Sequence, residues 1–357
     1  MKPTHRLVLA FGAAGLLLAW NPTDAEPRFA PQVGTSVAKT FASVMTFELD
    51  DLSVMVDGEN VMGMIGVPTM SMTLDRTITV EDEYRSMGEG RPSKVVRTFE
   101  TLLTKADADV EMAGESQTET SEGSSDLEGK EVVFTWDEAA GEHTVEWAPD
   151  NSGDAALLDG LEEDMDLRVF LPGRAVKTGD SWELPLSIVQ RLWAPGGDLG
   201  WSSDDSDEQM EATLKAFTGQ FLGDSLEQMV TGTRTATYQG MRELEGVNVA
   251  VIAITIDLEI ALDMADMIME LVGSIAEMPA EIDFELTRAT FTGSTAYEGE
   301  LLWNMTGGFV HSMELEGTLE GSMDVELSVD AMGETTDVSA SAVFSGTERS
   351  TVTAQGR

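Results

Sequence analysis

The chain has 357 residues, 42% of them hydrophobic, and a formal net charge of −44, so it is long enough for one large or two ordinary domains with a sizeable core. Such an acid excess repels nucleic acid and anionic membrane surfaces and favours cations, basic partners or a saline medium. The absence of cysteine removes disulfides, thiolate catalysis and Cys-based metal sites.

Residues 1–25 read as a signal peptide. Lys2, His5 and Arg6 form a basic start, and "LVLAFGAAGLLLAW" (7–20) is an apolar run too short and too rich in Gly and Ala for a membrane span. Thr23 and Ala25 supply small residues at the −3 and −1 positions of a cut after Ala25. The expectation is an exported protein, periplasmic or extracellular, with no transmembrane segment once the leader is removed.

The next region, 26–130, is expected to form an N-terminal β unit. "FASVMTFEL" (41–49) places Phe41, Met45, Phe47 and Leu49 on one face, and "TMSMTLDRTITV" (69–80) does so with Met70, Met72, Leu74, Ile78 and Val80. That is the period of two of a strand with one buried face. Methionine is abundant, at 21 residues, with Met62/Met64 and Met70/Met72 as close pairs. Thioethers hold Cu(I), but with His nearly missing the simpler reading is a pliable apolar face. The polar run "GESQTETSEGSSDLEG" (114–129) is expected to be a mobile loop.

Residues 131–241 form a central segment in which one or two helices are expected. The first covers 154–165, with Leu158, Leu161 and Met165 inward. The second is "SDEQMEATLKAFTGQFLG" (206–223), with Met210, Leu214, Phe217 and Phe221 at helical spacing, a Ser206/Gln209 capping box and Gly223 past its end. Between them, "LPGRAVKTGDSWELPL" (171–186) is punctuated by turns at Pro172-Gly173 and Gly179-Asp180.

A C-terminal β unit is expected over 242–357. "VAVIAITIDLEIAL" (249–262) alternates Ile252, Ile254, Ile256, Leu258, Ile260 and Leu262, whereas 263–277 is ambiguous between helix and loop. The cleanest alternation is "MELEGTLEGSMDVELSV" (313–329), apolar on one parity and acidic on the other. At ~3.3 Å per residue it spans ~55 Å, longer than ordinary strands, so it must bend. Gly317 and Gly321 lie on its apolar face, where they permit a bend or close approach of another element.

The two β units show a weak internal repeat. "MSMTLDRTITV" (70–80) aligns without a gap on "IDFELTRATFT" (282–292), which brings Arg76 opposite Arg288, both on apolar-face positions. A buried guanidinium needs a partner. The two readings are an internal ion pair with a carboxylate, or a pair of ligand-binding arginines holding an anionic, lipid-like head group at the mouth of an apolar cavity. Arg76 and Arg288 are therefore the candidate binding residues.

Catalytic signatures are thin. "GDSL" at 223–226 carries the nucleophile in a family of serine esterases, but there it follows the first strand and is completed by a late Asp-x-x-His; here the residues three before His143 and His311 are Ala140 and Gly308. Gly179-Asp180-Ser181 is most simply the turn that starts the strand Trp182-Leu184-Leu186. The acid clusters at 162–166 and 204–208 lack the Ca²⁺-loop pattern. Trp182, Trp193 and Trp201 around "APGGDLG" (194–200) read as packing beneath a Gly-rich loop. No catalytic residue, metal site or cofactor is assigned.

Two stretches, "EGRPSKVVRTFE" (89–100) after "VEDEYR" (80–85) and "LPGRAVKTGDSWELP" (171–185), resemble uncharacterised secreted bacterial proteins of β-rich, two-unit build. The long bent strands are similar in architecture to the half-barrels of periplasmic lipoprotein-carrier proteins. Neither resemblance carries a site residue, and fold does not give function. The expected fold is mainly β: long curved antiparallel sheets, half-barrel-like, in two related units with one or two helices. The expected role is non-enzymatic and structural or interactive in the cell envelope. The alternatives are a periplasmic carrier of lipid or another apolar ligand and, more remotely, a GDSL-like esterase.

Overall fold

The computed structural model describes residues 24–62, 66, 68–112, 115–203, 226–265, 268–269, 282–331 and 334–357. The chain is mainly β, as the alternating patterns require. Fourteen strands form one antiparallel sheet that does not close. They are β1 (Ser36–Val56), β2 (Glu59–Asn60), β3 (Thr69–Met87), β4 (Pro92–Met112), β5 (Glu115–Ser125), β6 (Glu131–Asp137), β7 (Glu142–Trp147), β8 (Ser181–Glu183), β9 (Trp201–Ser203), β10 (Val230–Leu244), β11 (Val247–Asp263), β12 (Ile282–Asn304), β13 (Phe309–Ala331) and β14 (Glu334–Gly356). The main path runs β7-β6-β4-β3-β1-β14-β13-β12-β11-β10-β8. Its seam is the pairing of the first strand with the last, from Val37 opposite Gly356 to Val56 opposite Val338.

One face of this sheet carries the core. Along β11 every even residue from Ile252 to Leu262 is buried and the odd ones from Thr255 on are exposed, because successive strand side chains point to opposite faces. Strands from both sides of the seam, with Tyr84 and Phe99 on one and Tyr238 and Ile252 on the other, share a single apolar cluster with residues 161–199. Residues 161–199 of the central segment therefore lie against the inner face, whereas β6, β7 and most of β10, which also fall within 131–241, are strands of the sheet itself. Two short strands of the central segment also attach to opposite flanks of the sheet: β8 pairs with β10, and β9 pairs with β5.

Where side chains are missing on the long strands, aromatic rings approach the backbone. Gly317 lies under the Tyr297 ring, where an added Cβ would stand 2.3 Å from Cδ1. Gly293 and Gly321, partners across β12 and β13, lie under Phe291, with added Cβ atoms 3.2 and 3.1 Å from its ring. The close approach expected at Gly317 and Gly321 is thus made by aromatic rings of the neighbouring strand.

Several local expectations are corrected. Residues 115–125 are strand β5, not a loop; it is polar on both faces and so carries no apolar alternation. Its hydroxyls instead bond across to β4, Thr118 to Asp109 at 2.5 Å and Thr120 to Asp107 at 2.6 Å. The helix expected over 154–165 shortens to a 3₁₀ turn, Ala155–Leu158, capped by the Asp154 carboxylate. Gly160, with φ of +78°, then turns the chain so that its carbonyl accepts from Asp198 N–H. Leu161 and Met165 still face inward and are buried. A six-residue helix that sequence periodicity does not mark, α1 (Ile188–Trp193), buries Ile188, Val189 and Leu192. The helix expected over 206–223 lies outside the described residues, as does most of 263–277.

Gly179-Asp180-Ser181 is a corner of the sheet. Gly179 has φ of +91°, the Asp180 carboxylate accepts from Lys177 N–H at 3.0 Å, and Ser181 opens β8 beside Thr237. At the N-terminal end, Ala25 exchanges both backbone hydrogen bonds with Val176, at 2.9 and 2.7 Å.

Candidate functional site

The most unusual feature of the inner face is a sealed group of charges. Lys39 on β1, Asp82 on β3 and Arg97 on β4 each sit between two buried apolar residues of the same parity: Val37 and Phe41, Val80 and Tyr84, Val95 and Phe99. All three are fully buried. Burying unpaired charge is prohibitive, and here each charge meets its complement. Asp82 accepts from Lys39 Nζ at 2.6 Å and from Arg97 Nε and Nη2 at 2.7 and 2.8 Å.

The central segment completes the group. Lys39 Nζ also lies 2.5 Å from the Asp166 carboxylate, to which Tyr84 donates at 2.5 Å. Arg97 donates to the backbone carbonyls of Glu162 and Glu163 at 2.8 and 2.7 Å. Arg168 pairs with Glu163 and, at 3.0 Å, with Asp164, and stacks 5.0 Å over Phe29. Arg191 pairs with Glu162. Asp166 and the carbonyls of Glu162 and Glu163 therefore dock this segment onto Lys39 and Arg97, while Glu163, Asp164 and Glu162 pair within the segment with Arg168 and Arg191. Among the described residues, no group of His, Asp and Glu is arranged to hold a metal ion.

These surroundings move the titrations apart. Burial opposes the Asp82 charge, but Arg97 and Lys39 outweigh it and bring its pKa down to about 2. Burial pushes Glu163 up to about 7; Arg168 pulls it down, while Asp164 and Asp166 push it further up. Tyr84 is held far above the usual tyrosine range by burial and by the charges of Asp166 and Asp82. His143 lies 3.8 Å from Glu163 through Nδ1, and its Nε2 is 3.0 Å from the Pro92 carbonyl oxygen. Burial lowers its pKa; the hydrogen bond to the Pro92 carbonyl opposes this, and the charges of Arg168, Arg91 and Arg97 lower it further.

Arg76 and Arg288 are not equivalent, and the structure does not bring them together. Arg76 is on the inner face and donates to the carbonyls of Trp193 and Leu192, at 2.5 and 3.4 Å, at the C-terminal end of α1. Arg288 is on the outer face, with its side chain 51% exposed and 3.5 Å from Glu326. The repeat fails at a bulge: the register with β13 shifts between Leu286 and Arg288. An extra residue there reverses the parity, so Ala289, not Arg288, is buried.

A second polar group lies across the seam. Glu348 on β14 accepts from Tyr297 at 2.5 Å and from Ser350 at 2.8 Å, and the Tyr297 oxygen in turn accepts from Trp193 Nε1 at 3.1 Å. Trp182 Nε1 donates to the Phe170 carbonyl at 3.2 Å. The tryptophans around 194–200 pack against the core, as their sequence setting suggested.

Away from these groups the inner face changes character. Met45, Phe47 and Leu49 on β1 and Met72 and Leu74 on β3 are only half-buried, and Met70 is exposed. A groove of about 740 Å³ lies along β10 to β14, lined by Ile260, Phe344, Gly293 and Gly321 together with Glu259 and Glu320. That is within the size range of small-molecule sites.

No family model and no curated protein matches the chain. Among solved structures, the chain is similar at a TM-score of 0.18 and 6% identity to the outer membrane protein OprG from Pseudomonas aeruginosa, over 90% of this chain and 97% of that one. It is similar at a TM-score of 0.14 and 6% identity to OccK7 (OpdD) from Pseudomonas aeruginosa, over 89% and 99%.

Proposed function

We propose that this chain is an exported, non-enzymatic acidic β protein of the cell envelope with a structural or interaction role. The observation that supports this reading is the occupant of the inner face. Residues 161–199 fill it between β4 and β11, and the buried charges that hold them are used against one another and closed to solvent. A carrier needs that space for its ligand, and a hydrolase needs some of those carboxylates accessible. The leader expected over residues 1–25 supplies the location.

A second reading, a periplasmic carrier of lipid or another apolar ligand, draws on a different observation: the half-buried methionine, leucine and phenylalanine strip of β1 and β3. Methionine-rich faces adapt to varied apolar shapes. Native mass spectrometry of the full protein after mild purification separates the two. The structural reading expects the mass of the polypeptide alone. Lipid adducts that disappear in Met72→Asp would establish the carrier.

A further inference from the structure

At the end of the inner face away from the sealed charges, apolar side chains lie open. Met70 on β3 and Val110 on β4 stand directly opposite each other and are 38% and 36% exposed, and Met112, next on the same parity of β4, is 48% exposed. The strip continues through Met72, half-buried and opposite Phe47 of β1. Single exposed apolar residues are ordinary, but a run of them on one face marks an interaction surface. The same register sets acids beside the strip. Glu115 of β5 stands opposite Met112, and Glu119 stands opposite Ala108, so both share that face, and both are exposed. Over residues 103–125 the sole Lys or Arg is Lys105; it lies on the other parity and pairs with Asp107 at 2.5 Å.

We propose that this strip docks a basic amphipathic polypeptide segment of another protein, an inference that rests on the interaction role proposed above. Apolar side chains of the partner lie on Met70, Val110 and Met112, and its lysine or arginine side chains face Glu115 and Glu119. Charge decides the occupant. Residues 204–225 follow β9, the strand that pairs with β5, and lie outside the described residues; they carry Asp204, Asp205, Asp207, Glu208, Glu211 and Asp224 against Lys215. A second copy of the chain brings a net charge of −44, and an anionic lipid head group meets the same repulsion. A basic partner gains from both features of the strip: apolar burial supplies affinity, and opposite charge steers approach and fixes orientation.

The test is calorimetric titration of the full protein, at physiological ionic strength so that diffuse attraction is screened, with synthetic peptides of equal length. One has lysine and leucine at helical spacing, one lysine and serine in the same pattern, and one glutamate and leucine. The lysine–leucine peptide is expected to bind, the lysine–serine peptide to bind about tenfold or more weakly, and the glutamate–leucine peptide not to bind. Met70→Asp and Val110→Asp should each weaken the lysine–leucine peptide by about tenfold, although each adds an acid. Glu115→Lys combined with Glu119→Lys should weaken it as well, and Glu298→Lys, on the outer face, should leave it unchanged. Should Met70→Asp fail to fold, the exposed Glu115 and Glu119 pair decides. No binding by the wild type would mean that the strip is already covered, by residues 204–225 or by a second copy, and would overturn the proposal. Equal affinity for the lysine–serine peptide, equal affinity for the glutamate–leucine peptide, or full binding in the strip variants would overturn it too. Lipid adducts in the native mass spectrum, by contrast, would remove the interaction role itself.

Discussion

The two ends of this sheet use the same alternation for opposite purposes. At one end, Lys39, Asp82 and Arg97 occupy apolar-parity positions and are fully buried, because the central segment brings Asp166 and the carbonyls of Glu162 and Glu163 to meet them. At the other end, Met45, Phe47, Met72 and Leu74 occupy the same parity and remain half-buried. Apolar side chains tolerate partial exposure. Buried charges do not, and so the charged end must be sealed. Polarity on the inner face therefore marks where the chain closes on itself.

That contrast is sharpest in stability. Arg97→Met leaves Asp82 with Lys39 alone and frees two buried carbonyls. Removing one partner of a buried pair costs about 3–5 kcal/mol, which denaturant unfolding would register as a fall in the midpoint. A loss below about 1 kcal/mol would mean that the group is hydrated rather than sealed.

The pH dependence comes next. Glu163 moves from 4.5 to about 7 on folding, so the folded chain holds a proton that the unfolded chain has released. Its contribution is complete below pH 4.5 and is lost as pH rises to about 7, amounting to up to about 3 kcal/mol. Glu163→Gln should flatten stability across that window. Asp82 acts in the opposite sense, from 3.8 down to about 2: its contribution is present above pH 3.8 and is lost as pH falls to about 2. An unchanged slope between pH 4.5 and 7 in Glu163→Gln would remove Glu163 from the account.

A smaller effect is expected where a ring packs over a glycine. Gly317→Ala puts a methyl group against the Tyr297 ring, which is itself tied to Glu348. Overpacking of this kind costs about 1–3 kcal/mol. Smallest of all, Arg288→Met on the outer face should change stability by less than about 0.5 kcal/mol, since exposed pairs contribute little. A loss comparable to that of Arg97→Met would erase the distinction between the ends.

Much of the β architecture was legible because period two is a local signal, which β11 displays from Ile252 to Leu262 and β13 from Met313 to Val329. The close approaches at Gly317 and Gly321 were legible for the same reason, as glycines on an apolar parity. Register was not. The shift between Leu286 and Arg288 reverses one strand's faces without leaving a mark that the repeat alignment could detect. Strand β5 was missed because Thr, Ser and Glu on both faces give no alternation. The charge group was missed although its signal was present. Lys39, Asp82 and Arg97 each interrupt an apolar parity, as Arg76 does, and the unusual acid run at 162–166 supplies Asp166 to Lys39 and two backbone carbonyls to Arg97. Which acids meet which bases depends on how the central segment folds back, and that is not written in spacing.

The most direct test of the central claim is hydrogen exchange of the full protein, resolved by peptide. If residues 161–199 fill the inner face and are locked there by the buried charges, their hydrogen-bonded amides should exchange as slowly as those of Val37 to Phe41 on β1. In Arg97→Met the protection should fall selectively in 161–199. Fast exchange across 161–199 in the wild type, with β1 still protected, would show an inner face that is open, and would contradict the account.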